Sequence, residues 1–144
     1  MTEERMEALS AILAERAIRA VAEDAETVKM AWDMAFGEAV PEKEREAVVY
    51  EEFRWHLFSY EKLEAKCGEE ARRVMDEKSS QRLHLFWQNG DDAWAMRNAF
   101  DLTAADVDSI AAATEQDVYI FDDEGCWTYV LTHEPNCGPY FFQW

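Results

Sequence analysis

The sequence has 144 residues and a mass of 16.7 kDa, and 49% of its residues are hydrophobic, which is typical of a single compact domain over residues 1–144. Its 31 acidic residues outnumber 14 lysines and arginines and give a net charge of −17, which disfavours binding to nucleic-acid phosphates and polybasic docking on membranes. Uncharged runs such as residues 126–133 are far shorter than the ~20 apolar residues of a membrane span. The N-terminus lacks the basic start and apolar run of a signal peptide, so we expect a cytoplasmic protein.

Helical periodicity dominates the first fifty residues. Apolar residues at three- and four-residue steps predict an amphipathic helix over residues 2–22. A second helix is predicted from Asp24, a suitable N-cap, to Gly37, which tolerates a left-handed C-cap. Pro41 followed by carboxylates predicts a third helix that continues to about residue 52.

The middle of the chain mixes the hydrophobic periodicity of helices with that of strands. Residues 53–58 alternate as a strand does, although they fit a continuing helix almost as well, and we predict a strand. A helix is predicted over residues 68–78 and a strand over residues 82–88, which Asn89-Gly90 ends. Asp91 or Asp92 then predicts the cap of another helix, which carries Trp94.

The last third contains the clearest β signal. Thr103-x-x-Asp106 predicts the start of a short helix, and residues 117–122 and 126–132 predict a hairpin whose turn places Gly125 at positive φ. The aromatic tail, residues 138–144, is expected to add a strand or to pack across the sheet. The predicted fold is α+β: N-terminal helices followed by a small, mainly antiparallel sheet of about four strands with helices on one face.

Four sequence motifs resemble a known protein family. They are FRWHLFSY at residues 53–60, DVYIF at 117–121, WTYVLTHE at 127–134 and GPYF at 138–141. The chain is similar to a family of small bacterial proteins catalogued only as a domain of unknown function, over most of its length from about Trp32 onward. The resemblance implies a bacterial stand-alone domain, and it brings no activity, cofactor or catalytic residue.

Neither a metal site nor a cofactor is predicted. His56, His84 and His133 are 28 and 49 residues apart, which fits no local ligand spacing, and the three cysteines form no Cys-x-x-Cys pair. The sequence also lacks the glycine-rich phosphate-binding motifs and the Gly-x-Ser-x-Gly turn of acyl hydrolases.

His133 and Glu134, at the end of the second hairpin strand, are the most promising polar pair, with Tyr60 and Tyr140 expected nearby. Three interpretations stay open: a structural turn, a surface for a partner protein, and acid–base catalysis that also uses His56. The carboxylates of residues 122–124 are expected to be solvated turn residues. The full set of candidate binding residues is Trp55, His56, Tyr60, Asp122, Asp123, Glu124, His133, Glu134 and Tyr140.

Charge and aromatic residues concentrate after residue 80. Residues 81–144 carry 11 acids against two bases, Arg82 and Arg97, and 12 of the 19 aromatic residues. Aromatic anchors beside unneutralised acids favour a small cytosolic binding protein, of the immunity or antitoxin type, that inhibits a basic effector protein. The alternative is a small enzyme with a site around His133, Glu134, His56 and Tyr140, which would require these side chains to line one concave pocket.

Overall fold

The computed structural model describes residues 3–78 and 80–144, and in these residues six α-helices surround an antiparallel sheet of seven strands. The helices are α1 (Glu3–Glu15), α2 (Ala25–Ala35), α3 (Glu42–Ala47), α4 (His56–Ser59), α5 (Gly68–Glu77) and α6 (Ala104–Thr114). The strands are β1 (Arg19–Asp24), β2 (Lys66–Cys67), β3 (Arg82–Trp87), β4 (Asp92–Arg97), β5 (Val118–Asp122), β6 (Trp127–Leu131) and β7 (Tyr140–Gln143). Their order across the sheet is β1-β4-β3-β5-β6-β7-β2.

The sheet separates two hydrophobic cores, because alternate residues of each strand point to opposite faces. On β3, Leu83, Leu85 and Trp87 share one core with residues of α1, α5 and α6. Phe86 points to the other core, which α2 and the segment from residue 36 to 65 complete. The α+β class is confirmed, but the sheet has more strands than the predicted four. Helices also cover both faces of it rather than one.

Several predicted elements are confirmed. Asp24 caps α2 by accepting the backbone N–H of Thr27. Thr103 and Asp106 form a reciprocal capping box at the start of α6. The predicted hairpin is β5–β6, with Gly125 at φ +70°, and the aromatic tail supplies β7 beside β6.

Three helical segments end in the same way, at a residue that is not glycine. Ala17, Val49 and Glu61 each have φ near +55°. In each segment the next residue donates its N–H five positions back, as Ile18 does to Leu13 O at 2.9 Å. This is the hydrogen-bond pattern of a Schellman cap, which glycine normally occupies. The predicted helix over residues 2–22 therefore ends at Glu15 and the one predicted to residue 52 ends at Ala47; the expected start at Thr2 lies outside the described residues.

Two further predictions are wrong. Residues 53–58 form turns and the start of α4, because the backbone N–H of Trp55 donates to the Tyr119 hydroxyl (3.1 Å) rather than to a neighbouring strand. Residues 92–97 form β4 instead of a helix. β4 lies between β1 and β3, and both of its faces are largely apolar. Its sequence therefore does not show the alternation of apolar and polar residues that is typical of a strand with one solvated face.

Candidate functional site

A buried carboxylate, Asp117, lies beside His133 at one end of the β5–β6 hairpin. Val118 of β5 pairs with Leu131 of β6, so the residues just outside the hairpin are neighbours. The Asp117 side chain is 3% exposed. Its Oδ1 accepts the backbone N–H (2.6 Å) and Nδ1 (2.8 Å) of His133, and its Oδ2 accepts Nε1 of Trp55 (2.8 Å). These three bonds satisfy the buried charge and fix the His133 ring.

Four rings form a continuous row across the surface next to this carboxylate. Tyr60 lies 5.3 Å from His56, His56 5.1 Å from Phe53, and Phe53 5.7 Å from His133, measured between ring centroids. Tyr60 is 60% exposed, His133 is exposed and the two middle rings are half-buried. We call Tyr60, His56, Phe53 and His133 the ring row.

Trp55 supports the ring row from beneath. It is 4% exposed, and its ring contacts both His56 (4.6 Å) and His133 (6.1 Å). The His56 ring is held independently, since its Nδ1 donates to the backbone carbonyl of Val48. Three rings of the row, those of Phe53, His56 and His133, therefore rest on Trp55, which lowers the entropy lost when a partner binds.

A polar network continues below Trp55. The Tyr119 hydroxyl accepts the Trp55 backbone N–H and donates to Oε1 of Gln88. The same Gln88 oxygen accepts the backbone N–H of Arg54 (3.1 Å), and the Gln88 backbone N–H donates to the carbonyl of Asp117 (3.1 Å). Burial raises the pKa of Tyr119 well above its ordinary value, so its hydroxyl remains a donor at alkaline as well as at neutral pH.

Exposed glutamates are the sequence neighbours of three ring-row residues. Glu51 and Glu52 precede Phe53, Glu61 follows Tyr60, and Glu134 follows His133. Glu134 Oε1 is 3.4 Å from Nε2 of His133. In the part of the chain described here, none of these four glutamates forms an ion pair with lysine or arginine. We call Glu51, Glu52, Glu61 and Glu134 the acidic rim.

The structure brings together five of the predicted binding residues: Trp55, His56, Tyr60, His133 and Glu134. Tyr140 is elsewhere, on β7, where it packs against Phe58 and lines a separate cleft of about 570 Å³. Burial raises the pKa of Tyr140 to about 12. The residues proposed for the alternative enzyme therefore do not line one pocket, since His133 lies on an open cleft of about 360 Å³ at the end of β6.

The carboxylates of residues 122–124 lie at the other end of β5, about 17 Å away for a five-residue strand. Contrary to expectation, Asp122 is not solvated: its Oδ1 accepts the backbone N–H groups of Cys126 (2.7 Å) and Trp127 (2.9 Å). Asp123 binds Nε2 of His84 (2.7 Å), while Glu124 is exposed. Carboxylates of Asp122 and Glu124 and the Cys126 thiol lie within 4.8 Å of one another, but the hairpin turn accounts for their positions.

Asp117 and Phe53 are the site residues that the sequence interpretation missed. The predicted hairpin already contained a signal for Asp117, because an antiparallel register joined at residues 123–125 places residue 117 beside residues 132 and 133. For Phe53 there was no such signal, since its assignment to a strand was itself wrong.

Within the described residues, no helix has the length and apolar composition needed to cross a membrane. A family model, described as a domain of unknown function (DUF4275), matches residues 7–141 of the chain. Neither a curated protein nor a solved structure matches the chain.

Proposed function

The chain belongs to the family of the domain of unknown function DUF4275, and we propose that it is a small cytoplasmic binding protein whose ring row and acidic rim receive a basic partner protein. The partner class is a basic effector that the chain inhibits, as an immunity protein or antitoxin does. The observation that carries the proposal is the ring row itself: four rings in contact with one another, two of them exposed, beside glutamates that form no ion pair with lysine or arginine in the described residues.

The chemistry of this surface suits arginine and lysine side chains. A guanidinium or ammonium group stacks favourably on an aromatic face, with about 0.5–2 kcal/mol per contact depending on how far water is excluded. The glutamates of the acidic rim can then accept charge-assisted hydrogen bonds from the same group. Tyrosine is also enriched among the residues that dominate binding energy, and Tyr60 is 60% exposed.

Charge supports an inhibitor in particular. A net charge of −17 steers a cationic protein toward the chain over long distances, and a surface rich in carboxylates can occupy a site that otherwise binds phosphates. An effector that acts on nucleic acid would present such a site.

The alternative enzyme has one observation in its favour, the Asp117–His133 pair. A buried carboxylate that fixes Nδ1 of a histidine is the arrangement by which general bases are oriented. General-base catalysis also needs a concave site next to Nε2, and that nitrogen faces Glu134 at an open part of the surface. The partner-binding function is therefore preferred.

The test compares two double variants of equal charge and aromatic content. Tyr60→Ala/Glu134→Gln alters the ring row and its rim, and Trp144→Ala/Glu124→Gln removes another exposed aromatic ring and another exposed glutamate. We expect a basic protein from the source cells to bind the wild type and the Trp144 variant but not the Tyr60 variant.

The properties of the captured partner then test whether it is a basic effector protein. Its association rate with the wild type should fall as the salt concentration rises, because the Debye length shortens from about 30 Å at 0.01 M to about 8 Å at 0.15 M. If the partner is an effector, its expression should stop growth of a test host, and co-expression of wild type but not of the Tyr60 variant should restore it. An acidic partner, or equal capture by both variants, would refute the proposal.

A further inference from the structure

The first strand of the sheet has an open edge. All six residues of β1 pair with β4, from Arg19 with Arg97 to Asp24 with Asp92, without a bulge. On its other side, the described part of the chain provides neither a strand nor a backbone hydrogen bond. The opposite edge, β2, has two residues, and a short edge strand is a common protection against unwanted pairing. β1 has no proline and no such shortening.

The residues of β1 form a self-complementary pattern. Arg19, Val21 and Glu23 point to one face of the sheet, and Ala20 and Ala22 to the other. In an antiparallel pair of two identical strands centred on Val21, Arg19 of each copy lies opposite Glu23 of the partner subunit. The alanines face one another and allow close approach, and the Val21 side chains, each 56% exposed, meet at the centre.

We propose that β1 pairs with β1 of a second copy of this chain, so that the sheet continues across a symmetric homodimer. The two-fold axis stands perpendicular to the sheet and passes between the two Val21 residues. Such an axis keeps both copies on the same face, so only residues of the same face can lie opposite each other. A shift of the register by two residues would place Arg19 opposite Val21 of the partner subunit or opposite its Ala25, at the start of α2. Both ion pairs would then be lost, so the charges select one register.

A row of like charges on the same face gives independent support. Arg19 lies beside Arg97, and Arg97 beside Arg82, on three neighbouring strands. All three are exposed, and in the described residues none forms an ion pair. Like charges directly opposite each other destabilise a sheet. Glu23 of the partner subunit would add a carboxylate at the end of this row.

Glu23 already has one partner on its own face of the sheet. Its Oε2 accepts Nδ1 of His84 at 2.8 Å, across the small residues of β4. Because a carboxylate can accept several hydrogen bonds, this contact leaves Oε1 able to bind an arginine of the second copy.

The salt dependence of this dimer differs from that of a basic partner. Two copies of net charge −17 repel each other, so association should become stronger between about 0.01 M and 0.15 M salt as that repulsion is screened. The ring row lies beyond the end of β6, four strands along the sheet from β1, so each function can be lost without the other.

The test is sedimentation equilibrium of the full chain with reversed charges. Arg19→Glu and Glu23→Arg each turn two attractive contacts into two repulsive ones, and each should weaken the dimer at least about tenfold. An equimolar mixture of the two single variants should form a heterodimer, since both contacts across the edge are then attractive. Arg73→Glu, on α5, makes the same charge change as Arg19→Glu away from β1 and should leave the dimer unchanged.

Val21→Lys gives a second route, because it places two lysines at the two-fold axis while Arg19 and Glu23 keep their contacts. Circular dichroism shows whether each variant is folded. A wild type that stays monomeric up to millimolar concentration, or an Arg19→Glu variant that dimerises as well as Arg73→Glu, would overturn the proposal.

Discussion

Asp117→Asn tests the idea that one buried carboxylate organises the candidate site. The substitution keeps the shape of the side chain but replaces one acceptor oxygen with an NH₂ donor. If the amide oxygen stays with His133, the NH₂ group meets Nε1 of Trp55, and two donors then face each other. A buried donor left without an acceptor costs about 1–3 kcal/mol.

The two remaining bonds also weaken, because an uncharged acceptor contributes about 1 kcal/mol less to each than a carboxylate does. Removing the buried charge returns part of this cost, since the carboxylate no longer has to be desolvated. We therefore expect Asp117→Asn to lower the free energy of unfolding by about 2–3 kcal/mol.

Urea denaturation at neutral pH, followed by circular dichroism, measures this change through the midpoint at an unchanged slope. Asp101→Asn is the control: Asp101 is exposed, and the substitution should stay within about 0.5 kcal/mol of wild type. A double-mutant cycle with Trp55→Phe should show a coupling of about 1 kcal/mol or more between the two side chains. An unchanged stability and no coupling would mean that Asp117 does not hold the site together.

Three further predictions concern burial, the turn and alkaline pH. Trp55→Ala and Trp127→Ala should each destabilise the fold by about 3–5 kcal/mol, whereas Trp144→Ala, at 61% exposure, should cost under about 1 kcal/mol in the same urea assay. Asp122→Ala should cost about 1–3 kcal/mol by leaving two backbone N–H groups without their acceptor, measured by the shift in midpoint. Because burial raises the pKa of Tyr140 from 10.0 to about 12, the unfolded chain ionises first and stability is lost as pH rises through this window. Tyr140→Phe should therefore show a smaller loss of stability over that pH range, and an equal loss would contradict the assignment.

Elements with local signals were predictable from the sequence. Asp24 and Thr103 identified two helix starts by capping chemistry, and Gly125 identified the β5–β6 turn by its need for positive φ. The ends of α1 and α3 were not predictable in this way, because Ala17 and Val49 take the left-handed conformation that normally indicates glycine. Tertiary packing imposes these two caps, and the hydrophobic periodicity of the sequence carries no information about that packing.

The candidate site was only half predictable for the same reason. The register of the hairpin brings His133 to Asp117, and both residues could be placed from local sequence. The approach of residues 53–60 depends on long-range bonds from Trp55 to Asp117 and Tyr119, which no sequence period encodes. Tyr140 was misplaced because β7 pairs with both β6 and β2, and its side chain points into the core with Phe58.

The position of β7 inside the sheet has a consequence for folding. β7 lies between β6 and β2 although it contains residues 140–143, so β6 stays an unprotected edge until those residues pair with it. Until then Trp127 and Tyr129 lack β7, and Trp127 lacks the ring of Phe141 that stacks on it. A folding intermediate in which β7 has not yet joined the sheet therefore exposes an aromatic strand edge, and we expect chaperones that bind such segments to act on it.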